Sequence, residues 1–167
     1  MNIKVMFSRE SDDWKTPSDI YSAFMKKGYI DPCPYQSKDN NLGKIYKHSK
    51  VFINPPFSRM ADWIDYGIEL IKNYNEVVFL IPARTDTKYF HKLLECNPRI
   101  YFIKGRLHYN DSEKNAPFPS LLIVCSWYLG GYVSINKEDV KKLIEVCLWT
   151  SVNVINATIK ANLPVKD

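Results

Sequence analysis

An α/β fold with a mostly parallel sheet is what this sequence predicts, on three observations. Val77 to Pro82 (VVFLIP) is a continuous apolar run, as expected of a strand buried on both faces. Short apolar runs and helix-patterned segments alternate from residue 51 to residue 104, the order that builds β-α units. The chain has 167 residues, 46% of them hydrophobic and 25% charged, which suits one domain (1–167) with a substantial core.

The elements follow in order. The N-terminal piece to Pro17 is polar and irregular. A helix is predicted after it, with Thr16 as N-cap, Pro17 in the first turn, and Ile20, Tyr21, Phe24 and Met25 as its apolar face. Gly28 ends that helix. Tyr29-Ile30 reads as a short strand leading into Asp31-Pro32-Cys33-Pro34, and residues 35–50 as polar loop. Val51 to Ile53 reads as a buried strand ending at Asn54. Ser58 is placed to cap a helix in which Met60, Trp63, Ile64, Ile68 and Ile71 keep helical spacing. Beyond VVFLIP, a helix from about Thr87 to Cys96 puts Phe90, Leu93 and Leu94 on one face. Ile100 to Ile103 and Leu121 to Trp127 read as strands. Lys137 to Leu148 reads as a helix with Val140, Leu143, Ile144 and Cys147 inward. Residues 150–160 fit either a strand or a helix.

Several classes of function are not expected. No apolar run approaches the roughly 20 residues of a membrane span. The opening MNIKVMFSRESDDW has neither a long apolar core nor a small-residue cleavage site, so a cytoplasmic protein is expected. Cys33, Cys96, Cys125 and Cys147 form no C-x-x-C pair, and His48, His91 and His108 are scattered, so no zinc site is expected. Cys96, Cys125 and Cys147 fall in apolar patterns and read as small buried hydrophobes. The net charge of +5 permits a polyanionic partner without demanding one, and the basic residues are only modestly concentrated, at Arg99, Lys104 and Arg106.

Asn54-Pro55-Pro56-Phe57 carries the most chemistry. Two prolines fix φ and donate no N–H, so the turn is stiff. An Asn side chain and a Pro carbonyl are left as acceptors beside an aromatic ring. That set suits a planar amino group, with two acceptors for its two protons and a ring for its face. The same four residues would also serve as an ordinary strand-to-helix turn. Ligands of open α/β sheets sit at the carboxyl ends of strands, and both Asp31 and Asn54 follow predicted strands.

Six segments, taken in order, resemble the phage-encoded adenine-specific DNA methyltransferases of the small Dam type. They are DDWKTPSDIY (Asp12 to Tyr21), DPCP (Asp31 to Pro34), NPPFSRMADW (Asn54 to Trp63), IPARTDTKYFH (Ile81 to His91), FIKGRLHY (Phe102 to Tyr109) and APFPSLLIVC (Ala116 to Cys125). The resemblance covers about residues 7–127. It implies a compact Rossmann-like methyltransferase sheet, S-adenosyl-L-methionine as methyl donor, the exocyclic amino group of adenine in DNA as acceptor, and a role in phage DNA modification inside a bacterial host. By the resemblance Trp14, Thr16 and Pro17 belong to the N-terminal cofactor segment, and Asp31, Pro32 and Cys33 to the acidic cofactor motif. Asn54, Pro55, Pro56 and Phe57 match the catalytic motif. Arg84, Thr85 and Asp86 follow the third strand, while Lys104, Gly105 and Arg106 form a late basic segment. Arg84, Lys104 and Arg106 are candidate DNA contacts.

The residues themselves suit this chemistry. The amino lone pair of adenine is delocalised into the ring. Asn54 Oδ1 and the Pro55 carbonyl can accept its two hydrogens and favour a pyramidal nitrogen, so transfer is an in-line displacement helped by positioning and electrostatics. A base in a duplex must be flipped out, and Phe57 is placed to stack on it. Asp31 suits the ribose hydroxyls or the ammonium of the cofactor, with Asp39 a weaker second contact, and Trp14 suits an aromatic–cation contact. No G-x-G loop follows Asp31, and only 22 residues lie between Asp31 and Asn54, so the cofactor half is reduced. RNA adenine and protein glutamine are alternative acceptors for such a turn. The reduced half also suits a catalytically weak DNA- or cofactor-binding protein.

Overall fold

Strand β3 (Glu76–Pro82) is the centre of the molecule, with Val77 to Ile81 all fully buried. In the computed structural model, which describes residues 14–36, 41–126 and 131–146, it lies in a six-stranded sheet. The other strands are β1 (Tyr29–Ile30), β2 (Lys50–Ile53), β4 (Arg99–Lys104), β5 (Ser120–Cys125) and β6 (Gly131–Asn136). Their order across the sheet is β1-β2-β3-β5-β4-β6. The pairs β1–β2, β2–β3 and β4–β6 are parallel, while β5 runs antiparallel to both β3 and β4. The sheet is therefore mixed. The reason lies in the β4–β5 connection, which carries a single 3-10 turn (Tyr109–Asp111) and no crossover helix, so the chain returns in the opposite direction.

Among the described residues, four helices cover the two faces: α1 (Ser18–Lys26), α2 (Met60–Lys72), α3 (Lys88–Leu94) and α4 (Val140–Val146). Alternation along the strands sorts the core into two layers. Phe52, Val78, Leu80, Tyr101, Leu122 and Val124 pack with α1 and α4 through Ile20, Phe24, Val140, Leu143 and Ile144. Val51, Ile53, Val77, Phe79, Leu121 and Ile123 pack with α2 and α3 through Met60, Trp63, Ile64, Leu70, Phe90 and Leu93. This is an open α/β sheet of Rossmann-like type, with helices on both faces.

Most elements fall where the sequence places them, with instructive differences. Thr16 is not the cap of α1. Pro17 occupies the cap position without a side-chain bond, and the Ser18 N–H donates to Asp111 Oδ1 at 2.7 Å, so a carboxylate from the β4–β5 loop caps the helix. Ser58 lies in a 3-10 turn (Phe57–Arg59), and α2 starts after Arg59 with no side-chain cap. The buried face of α2 includes Gly67 and Leu70, while Ile68 and Ile71 are only half-buried. Gly67 is required there: a Cβ on it would lie 2.1 Å from the Phe79 ring. Leu94 is 39% exposed and Cys96 half-buried rather than core, because α3 presents Phe90 and Leu93 to the sheet. Strand β6 has no counterpart among the predicted elements. The described part of the β1–β2 connection, 31–36 and 41–49, holds no helix or strand, in keeping with a reduced cofactor half. Asp39, Trp127, Cys147 and residues 150–160 lie outside the described residues.

Candidate active site

The carboxyl ends of β1, β2, β3 and β4 face the same edge of the sheet, as their registers require. Asp31, Asn54 and Ala83 leave the first three of these ends, and Gly105 the fourth. Since β5 is antiparallel, its first residue Ser120 pairs with Pro82 and brings the 105–119 loop to this edge. The Ala83 N–H donates to the Pro119 carbonyl at 2.9 Å and closes that side.

The side-chain amide of Asn54 is held by two bonds. Its Nδ2 donates to the Trp14 carbonyl at 2.5 Å and to the Thr16 hydroxyl at 3.0 Å. A carbonyl oxygen can only accept, so the atom facing Trp14 must be the amide nitrogen. The orientation is thereby fixed on chemical grounds, with Oδ1 directed away from Trp14 and Thr16. Thr16 is 5% exposed and Asn54 half-buried, so their bond is partly shielded from water. Pro55 is buried and Pro56 half-buried in extended conformation, feeding the 3-10 turn that begins at Phe57.

An aromatic cluster stands beside this turn. Phe57 stacks on Trp14 with ring centres 6.1 Å apart and planes 23° apart. Phe118 meets the edge of both rings at 5.1 Å, and Tyr109 meets Trp14 at 5.9 Å. The Tyr109 hydroxyl shares a hydrogen bond of 3.1 Å with Ser120 Oγ, which satisfies it inside the core. Burial pushes the Tyr109 phenol well above its usual range, so it stays protonated. Trp14 and Thr16 thus meet Asn54 and Phe57, and Pro17 is buried directly after them.

Asp31 occupies the neighbouring strand end. Its Oδ1 accepts the Cys33 N–H at 2.8 Å, an Asx turn across the buried Pro32. Burial pushes its carboxyl up to about 6, and the Cys33 N–H offsets this only in part. Tyr21 is close enough that the Asp31 charge adds to the rise in its phenol pKa, which burial mainly causes. Half-buried Cys33 packs against the α2 side of the core. Among the basic candidates, Arg84 and Lys104 are exposed at the edge. Arg106 is half-buried and donates Nη1 to the Ala116 carbonyl at 3.4 Å, across the base of the loop.

Sequence reasoning missed the loop's share of the site. Tyr109 and Phe118 complete the aromatic cluster, and Asn110 and Asp111 bind the 15–18 segment. The available signals were the aromatic set between two prolines in Ala116-Pro117-Phe118-Pro119, and the Asn110-Asp111 pair, residue types that tolerate left-handed backbone.

An open α/β sheet with helices on both faces and a polar turn at its carboxyl edge is consistent with a Rossmann-like methyltransferase fold. The comparison of sequences narrows the class. A family model described as DNA N-6-adenine-methyltransferase (Dam) matches residues 5–143, and the chain belongs to that family. No curated protein matched the sequence. Membership implies methylation of DNA adenine at N6, with DNA as substrate.

Proposed function

We propose that this chain is a single-domain enzyme that moves a methyl group from S-adenosyl-L-methionine to the N6 amino group of a flipped adenine in DNA. The observation that carries this reading is the orientation of the Asn54 amide, whose nitrogen donates to Trp14 and Thr16 and so turns Oδ1 away from them, where it can meet a ligand. Asn54 Oδ1 and the Pro55 carbonyl accept the amino hydrogens and turn the nitrogen lone pair toward the methyl donor. Phe57, backed by Trp14 and Phe118, provides a flat surface for the flipped base.

The donor supplies an electrophilic methyl on a sulfonium. The edge fits such a group through Asp31, a half-buried carboxylate whose burial is answered within the protein by one backbone N–H. Hydroxyls or an ammonium on the ligand would complete its solvation. Pro32 and Cys33 shape the turn around Asp31, and Trp14, Thr16 and Pro17 wall the N-terminal side. Arg84, after β3, and Lys104, at the end of β4, bind backbone phosphates, while Arg106 braces the 105–119 loop through the Ala116 carbonyl. A role in modifying phage or prophage DNA in the bacterial cytoplasm belongs to the same proposal and rests on the family resemblance.

The test is transfer of labelled methyl from S-adenosyl-L-methionine to unmethylated DNA, with RNA and protein offered as competitors. Label on DNA adenine supports the reading. Label only on RNA, on protein, or on no acceptor would sink it. The reduced β1–β2 connection favours a second reading, a weak cofactor-binding protein; calorimetric binding without turnover would support that instead.

A further inference from the structure

The function proposed above, on which this inference rests, uses Asn54 but gives no task to the Asn110-Asp111 turn. That turn is left-handed, with φ of 59° at Asn110 and 51° at Asp111, a conformation that side chains rarely adopt and that Asn and Asp tolerate better than most. Its bonds are directed at one short segment. The Lys15 N–H donates to Asn110 Oδ1 at 2.8 Å, and the Asn110 N–H returns a bond to the Lys15 carbonyl at 2.9 Å. Asp111 takes the Ser18 N–H at 2.7 Å, the Ser18 hydroxyl at 2.6 Å and the Lys15 ammonium at 2.6 Å. These contacts fall on either side of Thr16. Residues 14 and 16 in turn supply both acceptors for the Asn54 amide, and Tyr109, just before the turn, packs on the Trp14 ring.

We propose that Asp111 is a positioning residue for methyl transfer: it grips Lys15 and Ser18 so that the Trp14 carbonyl and the Thr16 hydroxyl hold Asn54 Oδ1 toward the target amino group. A purely structural role would make Asp111 only a cap for α1. Its side chain is 42% exposed, as is that of Lys15, and exposed pairs add little to stability. The ion pair with Lys15 therefore adds little to folding, and the melting temperature measured beside kcat separates the cap from the positioning role. The Lys15 and Ser18 bonds hold its carboxyl down at about 2, so the grip is charged throughout the neutral range.

The experiment uses the full chain with Asp111→Ala, Asp111→Asn and Lys15→Met. It reads kcat, KM, the melting temperature and the solvent exchange of the Asn54 side-chain amide protons by nuclear magnetic resonance. For Asp111→Ala, kcat falls by at least about tenfold, and any rise in the KM for S-adenosyl-L-methionine is smaller than that fall. The amide protons exchange faster. Asp111→Asn, which keeps an acceptor for the Ser18 N–H, recovers most of kcat, and Lys15→Met gives a smaller loss in the same direction. Unchanged kcat together with unchanged amide exchange would overturn the proposal, as would a rise in KM alone. If the wild-type chain methylates no DNA adenine, the function reading falls and amide exchange alone decides the positioning.

Discussion

Replacing Asp31 with Asn should make the protein more stable at neutral pH and poorer at binding its methyl donor. The carboxyl has its pKa raised from 3.8 to about 6 by burial, against the opposing pull of the Cys33 N–H. For an acid with a raised pKa, the folded state holds its proton more tightly than the unfolded chain does. Below the unfolded value of 3.8 both states are neutral and nothing is lost. Between 3.8 and about 6 the unfolded chain ionises first, so stability falls as pH rises, and above about 6 the full penalty persists. At about 1.4 kcal/mol per pH unit, reduced because the carboxylate is partly exposed, the penalty is about 2 kcal/mol. Asn has the same shape and can still accept the Cys33 N–H at 2.8 Å, so it keeps the turn and removes the charge. Thermal melts at pH 7.5 should show Asp31→Asn higher by about 5 °C, with the difference shrinking toward zero near pH 4. Calorimetry should show S-adenosyl-L-methionine binding weakened by about tenfold or more, since bonds to a charged acceptor are lost. A variant less stable than wild type at both pH values, or one with undiminished affinity, would refute the reasoning.

Two further outcomes are expected. Gly67→Ala brings a Cβ within 2.1 Å of the fully buried Phe79 ring, and should cost about 2 kcal/mol in chemical denaturation; unchanged stability would mean that α2 does not approach β3 so closely. Arg84→Ala and Lys104→Ala should each weaken binding of any DNA sequence and lower the slope of log affinity against log salt by about one, measured by fluorescence anisotropy; an effect confined to one sequence would point to base contacts instead.

The parts of this fold that the sequence reveals are those governed by local periodicity. VVFLIP reads as a central strand because every residue from Val77 to Ile81 is buried, which leaves no polar alternation. The α2 stripe is visible through Met60, Trp63 and Ile64, yet Gly67 is not, because a missing side chain carries no apolar signal although the Phe79 ring needs the space. Strand β6, Gly131-Tyr132-Val133-Ser134-Ile135-Asn136, is hard to read from the sequence because Gly, Ser and Asn interrupt its apolar residues; among the described residues it pairs with β4.

The candidate site divides in the same way. Asn54 to Phe57 can be recognised because the whole group is contiguous. Thr16 shows the limit of local reading: a Thr before Pro suggests a helix cap, whereas its hydroxyl accepts from Asn54, 38 residues away. Asp111 could not be found locally at all, since its partner Ser18 is 93 residues distant and a lone Asp in a polar loop looks solvated. The loop leaves β4 at the carboxyl edge, and the antiparallel return of β5 keeps both of its ends there.

Methylation of the adenine amino group at the Asn54 turn is the step proposed for this chain. The most direct measurement is nucleoside analysis by mass spectrometry of DNA incubated with S-adenosyl-L-methionine and either the wild-type chain or Asn54→Ala. The account expects N6-methyladenine with the wild type and a loss of at least about a hundredfold with the variant. Methylcytosine as the sole product, or equal N6-methyladenine from both proteins, would contradict it.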